Sequence, residues 1–153
     1  MNDAASLPDG TVEVSETGAG MFQQTVTMGR HRLIADEPRE TGGMDSGPGP
    51  YDLLLASLGA CTTMTLRLYA ERKHLALDHV SVALRHERVH GKDAAGEPML
   101  HLERITRDIR LDGDLSSKDR ARLMQIADRC PVHHTLTGRL EIVTHEMREG
   151  REP

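Results

Sequence analysis

At 153 residues the chain is long enough to bury the core of one domain, and two cysteines are too few for a disulfide scaffold. A formal charge of -5, from 19 basic and 24 acidic residues, leaves no electrostatic footprint for nucleic acid, and Phe22, Tyr51 and Tyr69 are too few aromatics for base stacking. No signal peptide is expected from residues 1–10, and the apolar run Leu53–Ala60 is interrupted by Ser57 and far short of a membrane span. The expectation is a soluble cytoplasmic protein, in which a cysteine pair serves chemistry rather than scaffolding.

Residues 1–10, MNDAASLPDG, lack periodicity and end in a turn signal, so they are expected to be a flexible tail. Residues 11–147 are expected to form a single domain and 148–153 a second tail. The domain opens with three β-rich segments, Thr11–Glu16, Phe22–Met28 and His31–Ala35, the last two joined by the tight Gly29-Arg30 connection; antiparallel strands follow. Asp36–Pro50 is dense in Gly and Pro and reads as a loop.

Pro50 suits the first turn of a helix running over Tyr51–Lys73, where Leu54, Leu58, Cys61, Thr65 and Leu68 repeat at helical spacing. After Asp52 in the first turn, charge appears in this helix only at Arg67 and in Glu71-Arg72-Lys73, so burial on several sides is expected. Two longer strands follow, His79–His90 and Leu100–Leu111, joined by a turn at GKDAAGEP. Val80, Val82 and Leu84 mark the inner face of the first. In the second, Arg107 shares its parity with Ile105, Ile109 and Leu111, either as a snorkelling side chain or as a functional one.

Ser116 with Asp119 resembles a capping box and opens a helix to about Arg129, with Leu123, Ile126, Ala127 and Cys130 on one stripe. Pro131 ends it and can start a short helix through Val132–Leu136 with Cys130 near its N-cap, where backbone N–H groups point at the side chain. Arg139–His145 alternates and is expected to close a sheet. The elements together describe an α+β fold. Each cysteine, Cys61 and Cys130, lies on an apolar helix face, which fits a small buried hydrophobe as well as a reactive thiol.

The segments DEPRETGG, GPGPYDLLLASLGACTTMTL and IADRCPVHHTL, in that order, resemble the OsmC/Ohr family of hydroperoxide-reducing proteins. The resemblance implies an OsmC-like fold: antiparallel sheets wrapped around central cysteine-bearing helices in a swapped homodimer. It also implies that Cys61 attacks an organic hydroperoxide and becomes a sulfenic acid, and that Cys130 condenses with it to a disulfide. A dithiol such as dihydrolipoamide on a carrier protein would reduce the pair, with no cofactor or metal required. Family members carry a glutamate after the helix-leading proline, where this chain has Tyr51 and then Asp52, and an arginine near the first strand turn, where Gly18–Phe22 has none. Candidate auxiliary residues are therefore Tyr51, Asp52, Arg39 and Arg107.

Two other functions compete. An OsmC-like small-molecule or carrier binding protein would keep the pocket without peroxidase turnover, and Tyr51 in the glutamate's place favours it. Cys130, His133 and His134 carry ligand types that suit zinc, although adjacent histidines on one helical turn do not aim at one ion. The remaining histidines and the mixed-charge string Arg85-His86-Glu87-Arg88 read as solvated.

Overall fold

The structure is a computed structural model and describes residues 8–89 and 102–146. The turn expected at GKDAAGEP, the strand ends at His90 and Leu100, and most of both tails lie outside these residues. The described residues form two compact units, each drawn from separate stretches of chain. One takes the residues up to Ser57 and those of Leu84–Thr106; the other takes Leu58–Ala83 and those from Arg107 onward.

In the first unit, β1 (Val12–Glu16), β2 (Gln24–Met28) and β3 (His31–Ala35) form an antiparallel sheet in sequence order, with Val14 opposite Val26 and Val26 opposite Leu33. The β2–β3 connection is as short as expected. Gly29 takes φ 56° at its first position, which a side chain would strain. β1 lies at the sheet edge with Val12 and Val14 exposed, whereas Val26 of the central strand is buried. The Gly- and Pro-rich loop after β3 is pinned by one residue, Asp36. Its carboxylate accepts from the backbone N–H of Glu37, Met44 and Ser46 and from the Ser46 hydroxyl, at 2.7 Å. A loop without apolar periodicity is thereby held by a buried charge whose lone pairs are satisfied.

α1 spans Pro50–Lys73 and enters and leaves through well-formed caps. Pro50 occupies the first turn, and the Asp52 carboxylate reaches back to accept from the backbone N–H of Gly49 at 3.0 Å. At the other end His74 adopts φ 53°, His74 N–H bonds Glu71 C=O, and Leu75 N–H bonds Ala70 C=O. This is a Schellman termination with histidine where glycine is usual.

Within the second unit Leu66, Leu123, Ile126 and Ala127 form the core, flanked by Tyr69, Val80, Ile109 and Leu111. The buried line on α1 runs through Leu58, Thr62, Leu66 and Ala70, one residue round from the expected stripe, with Cys61 at its margin. Nor is α1 buried on several sides: Met64 is 70% and Leu68 52% exposed. An all-round apolar helix leaves periodicity nothing to choose by, so only packing decides which face is inward. The same composition makes α1 long and apolar enough to cross a membrane, which the short run Leu53–Ala60 concealed. Its packing on Leu123 and Ile126 marks it as the core helix of a folded unit.

β4 (His79–Val89) and β5 (Leu102–Asp112) pair as a two-stranded sheet. Asp78 N–H bonds Asp112 C=O at one end, while Glu87 and Arg104 pair at the other, so the strands run antiparallel. The expected alternation holds, and on β5 Arg107 faces inward with Ile105 and Ile109. α2 spans Ser117–Ala127; the Ser116 hydroxyl accepts from Asp119 N–H and donates to the Asp119 carboxylate, closing only half of a capping box. α3 spans Pro131–Thr137. One expectation fails outright. Residues 139–145 form no strand and leave Leu140, Ile142 and Val143 exposed, because alternation specifies a face but supplies no neighbour to pair with.

Candidate active site

Cys130 ends the stretch after α2 and becomes the N-cap of α3. Its backbone is extended (φ −66°, ψ 139°), Pro131 fills N1, and the sulfur accepts from His133 N–H at 3.3 Å. Cysteine here does what serine usually does at an N-cap. The sulfur is fully buried, and its other polar neighbour is the Thr62 hydroxyl at 3.7 Å. Thr62 follows Cys61 on α1, so the two cysteine-bearing segments meet within one unit. Cys61 itself is half-buried, and both thiols are free.

Arg107 joins these pieces. From β5 it donates to Thr62 Oγ1 at 3.0 Å, to the Ala127 carbonyl at 3.1 Å, to Asp128 at 2.7 Å and to His133 Nδ1 at 3.1 Å. A guanidinium only donates, so Nδ1 of His133 is the acceptor. The side chain is 12% exposed, which is incompatible with the snorkelling alternative. A largely buried arginine is retained where its planar fork meets several acceptors at once, and here four acceptors face its two terminal nitrogens.

The other auxiliary candidates belong to the first unit. Tyr51 is exposed and stacks on His86, with ring centroids 4.3 Å apart and an interplanar angle of 18°. His86 pairs with Glu103, which also meets Arg88 at 3.3 Å. Asp52 is engaged in the start of α1, and Arg39 lies in an exposed helical turn over Arg39–Thr41. The structure thus gathers Cys61, Thr62, Arg107, Asp128, Cys130 and His133 in one unit. Tyr51, Asp52 and Arg39 lie in the other.

Three participants escape the sequence reading. Thr62 looks like helix filler beside Cys61, and no local pattern marks its contact with a residue 68 positions away. His86 reads as solvated, although it continues the inward parity of Val80, Val82 and Leu84; that parity was the available signal. Asp128 looks like a helix surface residue. The ligands of the zinc alternative are not gathered: His133 Nδ1 is taken by Arg107, and the His133 and His134 rings meet edge-on with centroids 6.0 Å apart.

Solved structures share this fold. An organic hydroperoxide resistance protein OsmC of Legionella pneumophila superposes with a TM-score of 0.61 at 21% identity, covering 84% of this chain and 90% of its own. An OsmC-like protein of Mycoplasma pneumoniae gives 0.63 at 20% identity, covering 86% and 90%. An organic hydroperoxide resistance protein of Elizabethkingia anophelis gives 0.59 at 17%, covering 84% and 89%. At these identities the likeness concerns the fold. No curated protein matches the chain significantly. The family described as OsmC-like protein matches residues 43–145, about two-thirds of the chain and the whole of α1, β4, β5, α2 and α3 with both cysteines; the chain belongs to the OsmC-like protein family.

Proposed function

We propose that the protein is a thiol-dependent peroxidase that reduces organic hydroperoxides through Cys61 and Cys130. The observation that supports it most directly is the seating of the Cys130 sulfur 3.7 Å from the hydroxyl of Thr62, the residue after Cys61, with both thiols free in one unit. In the proposed cycle the Cys61 thiolate attacks the terminal peroxide oxygen, the O–O bond breaks, and an alcohol leaves as Cys61 becomes a sulfenic acid. Cys130 then attacks the Cys61 sulfur, a disulfide forms, and water leaves. A dithiol, such as dihydrolipoamide on a carrier protein, returns both cysteines to thiols. Structures of this fold named as organic hydroperoxide resistance proteins add support at the level of the family. Residues 11–147 act in this reading as one OsmC-like domain of a swapped, cytoplasmic homodimer.

The test is mass spectrometry of the native protein through a time course with stoichiometric cumene hydroperoxide, beside Cys61→Ser and Cys130→Ser. Serine preserves the N-cap bond of α3, so Cys130→Ser is a clean variant. The expected results are a rapid intrachain disulfide in the native protein and a trappable sulfenic acid on Cys61 when Cys130 is replaced. Thiols that stay reduced over the time course would falsify the peroxidase reading.

A binding protein without turnover is the second reading, and the Tyr51–His86 stack favours it, because an aromatic pair occupies the start of α1 where the family's glutamate would stand. A ligand retained by the purified protein, together with inert thiols, would select it.

A further inference from the structure

The two sulfurs are unequal: Cys61 is half-buried, whereas Cys130 is fully enclosed and faces two donors, His133 N–H at 3.3 Å and the Thr62 hydroxyl at 3.7 Å. We infer that the Cys61–Cys130 disulfide is opened by attack of an external thiolate on Cys61, with Cys130 leaving into this hydrogen-bonded cradle, and that Arg107 is the positioning residue that organises it. The inference rests on the Cys61–Cys130 disulfide of the cycle proposed above, whatever oxidant forms it.

Access decides the first half. Thiol exchange is an in-line displacement, so the attacking thiolate must reach one sulfur from the side opposite the other. No external group reaches a sulfur with no exposed surface. The leaving group decides the second half, since exchange is faster when the departing sulfur is better stabilised as an anion.

Thr62 supplies that stabilisation through a hydroxyl with one proton and two lone pairs. Arg107 occupies one lone pair, leaving the proton a choice between the Leu58 carbonyl at 2.8 Å and the Cys130 sulfur. Against a neutral thiol the carbonyl is the better acceptor. Against a departing thiolate the hydroxyl turns toward sulfur, while Arg107 holds its oxygen in place and increases its polarity. Arg107 also holds the ring of His133, whose backbone N–H is the second donor. Its bonds to Ala127 and Asp128 close the end of α2; those to Thr62 and His133 do nothing for α2 and flank Cys130 instead.

The step is balanced. The external thiolate forms a bond to the Cys61 sulfur, the Cys61–Cys130 bond breaks, and its electron pair leaves on Cys130. The second thiol of a dithiol then displaces Cys61, so the dithiol is oxidised as both cysteines are reduced.

The test makes the disulfide with diamide, independently of any peroxide, and opens it with a single equivalent of glutathione. Acid quenching, alkylation after denaturation and peptide mass mapping then locate the adduct. Glutathione on Cys61 with alkylated Cys130 is expected; glutathione on Cys130 overturns the inference. Thr62→Val and Arg107→Met should each slow the opening about tenfold, the size of one hydrogen bond to a charged group. Thr62→Ser, which keeps the hydroxyl, should restore the rate. Equal rates in Thr62→Val and Thr62→Ser overturn the role of the cradle even if Arg107→Met is poorly folded. A diamide disulfide that opens at Cys61 in a protein inert to cumene hydroperoxide sinks the peroxidase reading and leaves this inference standing. No disulfide with either oxidant overturns both.

Discussion

Asp36 shows how much one side chain organises. The Ser46 hydroxyl, more than any other partner, holds its carboxyl below the ordinary value of 3.8; burial pushes the other way, and the backbone N–H groups of Ser46, Glu37 and Met44 help the hydroxyl. A carboxyl whose pKa is lower folded than unfolded stabilises the fold above the unfolded value, and that contribution is lost as pH falls through the folded value. Ser46→Ala removes the largest cause. The acid-unfolding midpoint, followed by circular dichroism, should therefore move to higher pH; an unchanged midpoint would show that the backbone donors suffice. Arg107 belongs to the same scale. Its inward parity was legible on β5, but its four acceptors come from α1, α3 and the C-terminal end of α2 with its cap residue Asp128, and no reading of β5 alone could name them.

Among the elements, α1 carries the clearest relation between local sequence and form. Pro50, the Asp52 carboxylate and the His74 termination define both ends. A β-carbon in the left-handed region costs about 1–2 kcal/mol, part of which glycine returns as unfolded-state entropy. His74→Gly should raise stability by about 0.5–1 kcal/mol in urea unfolding. A loss would mean that the His74 side chain makes a compensating contact. The start of α2 offers the opposite experiment: Ser116→Ala removes a cap whose hydroxyl satisfies Asp119 N–H, at a cost of about 1 kcal/mol by the same assay. Cap positions and element types were readable because they depend on residues within one turn. The strand expected over residues 139–145 was not, since a strand exists only through a partner.

At the scale of the whole molecule the exposed side of α1 is an apolar surface left uncovered in a single chain. Met64 and Leu68 lie one turn apart on it, 70% and 52% exposed. The proposed homodimer would cover such a surface, because burying apolar area is the main driving force for association. Sedimentation should give twice the mass of the chain, and Met64→Glu with Leu68→Glu should return the monomer mass without loss of helical circular dichroism. A native protein that sediments as a monomer at micromolar concentration would remove the dimer from the proposal.

Residues near one another in the chain determined a great deal of this protein: the hairpin of β2 and β3, the Pro-led helix of Cys61, the N-cap seat of Cys130 and the inward parity of Arg107. These follow from turn chemistry, capping and periodicity, each of which acts over a few residues. Only the tertiary structure decided that Thr62, not a neighbour on the expected stripe, meets Cys130, that Arg107 ties both to α2, and that α1 turns Met64 and Leu68 outward. Those outcomes depend on which of several apolar faces packs best. That is a property of the partner surfaces, and a helix apolar on most of its circumference does not encode it.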